Sequence, residues 1–287
     1  MKMNTNEIIL YTVLALFFVL FLVVQKKLAK IVKGLLFSLI VILAGISFYV
    51  LNLDDSKNFA FAKARVEELA VTAKENVEKL SSEITIKESV LLEANAINQL
   101  PELPRGCEVT ALAMLLQYAG IDVDKMTLAE EITKNTTAYE VVDGTIYYGN
   151  PNDGFVGDMY SLEGPGLGVY HKPIAELAEK YLPGAIVDFT GSDFDAVKEQ
   201  LSDGRPVWVI TNSKYQELSD DNFRTWVTPS GTIDITYSEH SVLITGYDED
   251  YVYFNDPLTG EQNKKAPIDD FIASWVQMGS QAITYSN

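Results

Sequence analysis

The sequence predicts an α+β domain that follows two transmembrane helices, and three observations support this architecture. The first fifty or so residues contain two long apolar runs, whereas the later segments contain separate helical and strand-like patterns. In the later part, helical segments come first and β-branched runs follow, which is typical of an α+β fold with a mostly antiparallel sheet. About 190 residues remain after the first ninety, which is enough for one domain with its own core.

Residues 1–53 are predicted to form a transmembrane hairpin. Apolar sequence is nearly unbroken over about residues 8–24 and 34–53, and each run approaches the roughly 20 residues that span a bilayer. The loop 25–33 contains four lysines and no acidic residue, so the positive-inside rule places it in the cytoplasm. Both termini and the large domain are therefore expected on the extracytoplasmic side. A cleavable signal peptide fits less well, because no small-residue cleavage site precedes the lysines.

Residues 54–88 have apolar positions at helical spacing with Glu and Lys between them, which predicts an amphipathic helical stalk. A spacer between the membrane and the domain is favoured over a coil that binds a partner. The domain itself is expected over residues 89–287. Its first strand is predicted over Glu88–Asn98, where it would deliver Gln99 to the functional site.

The only cysteine, Cys107, stands where a helix is expected to begin. Pro104 and Gly106 interrupt regular structure before it, and apolar residues recur at helical spacing from Glu108 onward. A thiol at a helix N-terminus is close to the positive end of the macrodipole, which favours the thiolate. A lone cysteine is more often a small buried hydrophobe, so Cys107 needs partners to be a nucleophile.

The first candidate partner is His240, one of two histidines, which precedes an apolar β-branched run. A second strand over Tyr251–Asn255 ends at Asp256, and Asp248–Asp250 between the strands is predicted to be a hairpin turn. Antiparallel pairing would let His240 and Asp256 face each other. The interval of about 130 residues between Cys107 and His240 is similar to that in papain-type enzymes.

Other segments complete the predicted domain. Helices are predicted over Leu128–Thr133, Pro173–Tyr181, Ser192–Leu201 with Ser192 as its cap, and Ile268–Met278. Strands are predicted over Arg205–Thr211, as a pair within Trp226–Ile235, and over Gln281–Tyr285.

Residues 135–169 are predicted to be irregular and carry several aromatic side chains. Either this segment walls a substrate groove, with its tyrosines as stacking surfaces, or it is an ordinary surface insertion. Gly164–Gly168 is rejected as a phosphate loop, and Asn150–Asp153 is rejected as a calcium loop, because each lacks the required context. His171 is expected to be a surface or packing residue.

Several separated phrases together resemble the bacteriocin-processing-peptidase-like family of papain-fold cysteine peptidases. They are QLPELPRGCEVTALAMLLQYAG, GVYHKPIAELAEKYLPG, GRPVWVITN, EHSVLITGYDEDYVYFNDPLTG and SWVQMGSQAITY. The resemblance implies a papain-like fold, with Cys107 as nucleophile and His240 as general base and acid. It also implies Asp256 as the group that orients His240, and Gln99 as the side-chain oxyanion donor. The interval of eight residues from Gln99 to Cys107 is slightly longer than in papain.

The resulting expectation is a membrane-anchored, extracytoplasmic cysteine peptidase that acts on a peptide or protein substrate. A peptidoglycan amide hydrolase, an acyl transferase and a catalytically idle binding module remain as alternatives. The net charge of −18 argues against nucleic-acid binding, and one cysteine with two histidines makes a structural zinc site improbable. No cofactor is expected. Glu108 and Glu239 adjoin the two central residues and would either tune the site or hold the cleft together.

Overall fold

A computed structural model of the chain describes residues 86–286, which belong to one compact unit, Ile84–Asn287. The predicted transmembrane hairpin and nearly all of the predicted stalk lie outside the described residues. Within residues 86–286, no helix combines the length and the apolar character needed to cross a bilayer.

The described residues form five α-helices and thirteen strands. The α-helices are α1 (Cys107–Tyr118), α2 (Lys125–Glu131), α3 (His171–Tyr181), α4 (Phe194–Ser202) and α5 (Ile268–Gln277). The first strands are β1 (Val90–Leu91), β2 (Lys134–Asn135), β3 (Glu140–Val142), β4 (Thr145–Tyr147), β5 (Phe155–Val156) and β6 (Ile186–Asp188). The later strands are β7 (Val207–Asn212), β8 (Phe223–Thr228), β9 (Gly231–Thr236), β10 (Glu239–Tyr247), β11 (Tyr251–Asp256), β12 (Glu261–Pro267) and β13 (Ala282–Tyr285).

The main sheet is antiparallel and has the strand order β12–β11–β10–β7–β13–β6, with β1 pairing with β10. Strand β10 is central, since it pairs with both β7 and β11. In the β10–β11 hairpin, Leu243 opposes Asn255, which brings Asp256 close to the end of β10 that carries His240. The α+β class and the antiparallel hairpin are therefore confirmed.

Helix α1 packs against this sheet and is buried from Cys107 to Leu116. Apolar side chains of α1 and of the sheet form one core cluster, in which Leu112, Trp208 and Leu243 are fully buried. Trp208 of β7 also donates a hydrogen bond from Nε1 to the carbonyl oxygen of Glu108, at 3.0 Å. The first turn of α1 is thereby fixed to the sheet on which His240 lies.

The region 135–169 is not wholly irregular, and that expectation was wrong in part. Strands β3 and β4 join β8 and β9 in a separate four-stranded sheet, and β2 pairs with β5. Strand β3 is exposed along its length and β4 is largely exposed, so neither shows the alternation that marks a half-buried strand. The two strands pair with each other, and β4 also pairs in parallel with β8, which is distant in sequence.

Several element boundaries also differ from the predictions. The first strand covers only Val90–Leu91 rather than Glu88–Asn98, and the chain beyond it is irregular up to α1. Helix α3 begins at His171, two residues before Pro173, and the backbone N–H of His171 donates to Gln281 Oε1 at 2.9 Å. A partner from the other end of the chain therefore fixes this helix start.

The remaining helices differ from the predictions mainly at their N-termini. Helix α2 begins at Lys125, because the side chain of Asp124 accepts a hydrogen bond from the Thr127 backbone N–H. Helix α4 is capped by Asp193 rather than by Ser192, since Asp193 accepts from the Ala196 backbone N–H. Strand β12 was not predicted, because its Glu, Gln, Asn and Lys residues do not resemble a strand.

Candidate active site

A cleft of about 620 Å³ contains three of the four residues singled out in the sequence: Gln99, Cys107 and His240. Cys107 comes from the first turn of α1, and His240 from the second position of β10. The fourth residue, Asp256, lies at the end of β11, directly behind His240. The fold thus brings together residues that are far apart in sequence, and their chemical roles stay predictions.

His240 and Asp256 are in direct contact. His240 Nε2 lies 2.8 Å from Asp256 Oδ1, and both side chains are nearly inaccessible to solvent. Because Nε2 is engaged by the carboxylate, Nδ1 is the imidazole nitrogen left to exchange a proton with another group. This arrangement can hold the ring in a fixed orientation and stabilise its protonated form.

The Asp256 carboxylate has further donors around it. Its Oδ2 accepts from Tyr215 Oη at 2.9 Å, from Lys264 Nζ at 2.7 Å and from Thr259 Oγ1 at 3.1 Å. Burial alone would raise the pKa of Asp256. The hydrogen bond and charge of His240, with the bonds from Lys264 and Tyr215, outweigh burial and hold that pKa well below its usual range. Asp256 is therefore a stable buried anion.

The environment of Cys107 differs from the prediction. The residue is only 7% exposed, and its thiol donates to Glu108 Oε2 at 3.4 Å. Burial raises the pKa of the thiol well above its usual value, and the nearby Glu108 and Glu239 carboxyls raise it further. A hydrogen bond from the Ser241 backbone acts in the opposite direction but is weaker. The helix N-terminus therefore does not by itself yield a thiolate here.

Gln99 lies in the cleft with its side-chain amide already engaged. Its Nε2 donates to the carbonyl oxygens of Leu103 and Pro104, at 3.0 and 3.1 Å. Its Oε1 is buried and has no hydrogen-bond partner among the described residues. An oxyanion would have to compete with these carbonyls for the Gln99 amide. The backbone N–H of Cys107, at the first position of α1, has no intrahelical acceptor and can serve as a donor.

Glu108 and Glu239, to which the sequence analysis assigns no catalytic role, both lie beside the Cys107 sulfur. Glu108 is fully buried, and its Oε1 accepts from the Val169 backbone N–H at 2.7 Å. Burial raises the pKa of Glu108 from an ordinary 4.5 to about 7, although backbone N–H groups oppose the rise. Burial, followed by the charge of Glu108, raises the pKa of Glu239 as well. The sequence signal that could have identified Glu108 is its position as an acidic residue in the first turn of an otherwise apolar helix.

The segment 135–169 forms part of the cleft wall. Tyr139, Leu162 and residues 164–167 line the cleft. Arg105 fixes this wall, since its guanidinium donates to the carbonyl oxygens of Asp158, Ser161, Leu162 and Gly164. Of the aromatic residues in the segment, only Tyr139 lines the cleft, whereas Tyr148 and Phe155 are buried. The groove-wall hypothesis therefore gains support, but a general stacking role for the tyrosines does not.

The remaining candidate residues lie elsewhere. His171 Nδ1 is 2.6 Å from Asp188 Oδ2, and His171 lines a different pocket from His240. Asn150 and Asp153 both hydrogen bond to Ser230, at 2.9 and 2.7 Å. Within the described residues, the sulfur of Cys107 and carboxylate oxygens of Glu108 and Glu239 are the one group spaced closely enough to admit a metal ion. No histidine belongs to that group, and Glu108 is already hydrogen bonded to the backbone.

Comparisons with known proteins agree with this picture. The model of the Peptidase_C39 like family matches residues 91–283. The chain is 44% identical over 247 residues to the uncharacterized protein YvpB of Bacillus subtilis, with 85% of this chain and 95% of YvpB covered. A crystal structure of a candidate C39-like peptidase from Bacillus anthracis superposes with a TM-score of 0.65 at 50% identity, covering 70% of this chain and 98% of that one.

A more distant comparison carries no weight. A Carica candamarcensis cysteine protease aligns with a TM-score of 0.34 at 13% identity, over 70% of this chain and 99% of that one. That value is too low to indicate a common fold, so the papain-like layout stays a prediction that rests on the sequence resemblance.

The donors around Asp256 predict a specific dependence of stability on pH. Lys264→Met removes one donor and the adjacent positive charge, and we expect it to lower the free energy of unfolding at neutral pH by about 2 kcal/mol. Because the pKa of Asp256 is depressed in the folded protein, its contribution is complete above the unfolded pKa of about 4 and is lost as the pH falls below that value. Wild-type stability should therefore fall in acid, whereas the difference between wild type and variant depends on the two folded-state pKa values of Asp256 and should stay nearly constant down to about pH 4.

Denaturant unfolding from pH 3 to pH 8 measures this difference. Lys265→Met is the matched control, because Lys265 is exposed and stacks over Tyr251 instead of contacting Asp256. An equal loss in the Lys265 variant, or no loss in the Lys264 variant at neutral pH, would contradict the account of Asp256.

Proposed function

The chain belongs to the Peptidase_C39 like family, and from that membership we propose that it is a cysteine peptidase with Cys107 as its nucleophile. The observation that carries the proposal is the His240–Asp256 contact of 2.8 Å in a cleft that also holds Cys107 at the start of a helix. An imidazole oriented by a buried carboxylate next to a thiol is the arrangement that nucleophilic acyl transfer requires.

The proposed reaction begins with transfer of the Cys107 proton to His240. Since Asp256 occupies Nε2, the proton goes to Nδ1, and the sulfur attacks the carbonyl carbon of the scissile amide. The backbone N–H of Cys107 donates to the oxyanion, and Gln99 contributes once its amide turns from the two backbone carbonyls that it now contacts. His240 then protonates the leaving amine, and water hydrolyses the thioester.

The tightly bound anion Asp256 supports this sequence of steps. Proton transfer from Cys107 makes His240 a cation, and the Asp256 carboxylate stabilises that cation because its own pKa is far below neutrality. The thiolate, by contrast, forms next to Glu108 and has no cation among its hydrogen-bond partners. In the proposed site, proton transfer from Cys107 to His240 is therefore assisted by Asp256 and not by any group beside the sulfur.

A second candidate is a binding module that does not turn over. The raised pKa of the Cys107 thiol and the engaged amide of Gln99 are the observations that favour it. The complete set of Cys107, His240 and Asp256 in one region of the fold favours the peptidase. Hydrolysis of a peptidoglycan amide would use the same groups, so the substrate class has to be found by assay.

Membrane anchoring is also part of the proposal, and it rests on the sequence of residues 1–53. The alignment with YvpB is longer than the described residues, so that relative shares part of the chain before residue 86. A hairpin with its basic loop in the cytoplasm would hold the domain outside the membrane, where it would meet peptides, surface proteins or the cell wall.

Turnover by single-residue variants tests the proposed peptidase. Wild-type protein is incubated with a diverse peptide library and, separately, with purified peptidoglycan, and products are identified by mass spectrometry. Cys107→Ala removes the nucleophile and should lower kcat by about 10⁴-fold or more, and His240→Ala should have a comparable effect. His171→Ala is the matched control, since it removes the other histidine and should leave turnover unchanged. Cleavage that persists in the Cys107 variant would refute the assignment.

Cysteine accessibility tests the proposed topology. In a Cys107→Ala background the chain has no other thiol, so Glu163→Cys introduces a single exposed label site on the domain. A membrane-impermeant maleimide should label this variant in intact protoplasts. Lys27→Cys, in the basic loop, should be labelled only after the membrane is permeabilised. Labelling of Lys27→Cys in intact protoplasts with protection of Glu163→Cys would reverse the topology.

A further inference from the structure

Two glutamates, Glu108 and Glu239, cluster with Cys107 but have no part in the proposed reaction; Glu108 is buried and Glu239 is partly buried. The sulfur and one carboxylate oxygen from each glutamate all lie within 4.8 Å of one another. The thiol donates to Glu108 Oε2 at 3.4 Å, so the nucleophile is in direct contact with an acidic group. Like charges at such distances strongly disfavour simultaneous ionisation.

The cluster fits against the backbone at Gly168 because that residue has no side chain. A Cβ atom on Gly168 would lie 1.9 Å from Glu108 Oε1 and 3.3 Å from Glu239 Oε2, so any other residue at this position would displace the carboxyls. The next residue, Val169, donates its backbone N–H to Glu108 Oε1 at 2.7 Å. Glu108 is therefore held in place by the cleft wall and is not a side chain that happens to be buried.

The cluster contains acidic groups without compensating positive charge. Among residues 86–286, no lysine, arginine or histidine forms an ion pair with Glu108 or Glu239. Glu239 Oε1 is buried and has no hydrogen-bond partner among the described residues. Two adjacent carboxylates without a cation are unfavourable in such a site, whereas protonation of either one leaves a single negative charge.

The neighbouring titratable groups do not supply the missing charge. Tyr170 faces both glutamates, and burial together with their charges raises its pKa, so it stays neutral. Tyr215 faces the Cys107 sulfur, and its hydroxyl donates a hydrogen bond to Asp256. Burial and the Asp256 carboxylate raise the pKa of Tyr215, so it stays neutral. On β10, His240 follows Glu239, but its Nε2 is engaged by Asp256.

We propose that Glu108 and Glu239 carry one negative charge between them and act as a positioning pair for Cys107, with Glu108 accepting the thiol hydrogen and the charge of the pair setting the pH at which the thiolate forms. This inference rests on the proposed function, because it assigns the pair to the nucleophile of that reaction. Forming the thiolate breaks the S–H bond and transfers the proton to His240. Negative charge on the pair opposes this step. The hydrogen bond to Glu108 positions the sulfur until the proton is transferred.

Two substitutions at Glu108 separate charge from shape. Glu108→Gln keeps the length of the side chain and an acceptor for the Val169 N–H but removes the charge. Glu108→Asp keeps the charge but shortens the side chain and loses that acceptor geometry. If charge governs the thiol, Glu108→Gln should move the midpoint of alkylation to lower pH by about one unit or more, which is about a tenfold faster reaction at fixed pH. Glu108→Asp should keep the high midpoint of the wild type.

The measurement is the rate of alkylation by iodoacetamide from pH 5 to pH 10, on the full chain in detergent with EDTA in every buffer. Cys107 is the only thiol, so labelling reports on it alone, and EDTA excludes metal binding as a cause of any shift. Glu163→Gln, an exposed acidic residue on the cleft wall, is the control and should not move the midpoint. Circular dichroism melts establish that each variant is folded at the assay temperature. If Glu108→Gln does not fold, Glu239→Gln removes the other carboxyl and should shift the midpoint in the same direction.

The proposal is overturned if a folded Glu108→Gln keeps the wild-type midpoint, or if Glu108→Asp shifts it by as much as Glu108→Gln. The result is independent of turnover. If Cys107→Ala still cleaves substrate, the proposed function fails, whereas the comparison of Gln with Asp at position 108 still decides whether the pair governs the thiol.

Discussion

The hydrogen bond between His240 and Asp256 is the interaction on which the organisation of the cleft depends. It can form only if β10 and β11 pair in a register that brings Asp256 to the end of β10 that carries His240. The carboxylate is then held by Tyr215 and by Lys264, whose strand β12 flanks β11 on the other side. The main sheet thus builds a buried anion behind the imidazole, and α1 brings Cys107 to the same cleft.

The carboxyl groups behind His240 and those beside Cys107 have different surroundings. Asp256 is surrounded by donors that keep its pKa low, whereas Glu108 and Glu239 lie beside the thiol without cations and have raised pKa values. A buried anion with several donors thus lies behind His240, whereas the groups beside Cys107 are acidic and raise the pKa of its thiol. In the proposed reaction, the thiolate forms only when its proton moves to His240.

The sequence was sufficient for the parts of the site that depend on local patterns. The apolar run after His240, the acidic turn at Asp248–Asp250 and the short strand that follows predict the hairpin, and the hairpin predicts the contact between His240 and Asp256. Gly106 and the apolar spacing after Cys107 likewise predict where α1 begins. In each case the turn residues and the periodic apolar pattern lie close in sequence to the candidate side chain, so a local pattern is enough to place it.

The rest depends on contacts between distant segments, which no local pattern records. Lys264 belongs to a polar strand that is recognisable only by its pairing with β11. The burial of Glu108 requires the vacant side-chain position at Gly168, sixty residues away in sequence. Gln99 lies in the cleft as expected, but the local fold of the chain before α1 directs its amide to Leu103 and Pro104.

The central claim is that His240 activates Cys107, and alkylation of the wild type compared with His240→Ala across pH 5 to 9 tests it most directly. Labelling of the single cysteine by iodoacetamide reports the thiolate without any need for a known substrate. The account predicts that the midpoint of labelling, already high in the wild type, moves to still higher pH in the His240 variant, since the proton acceptor is lost. Equal rates in the two proteins, following the titration of an isolated thiol, would contradict it and favour the binding module.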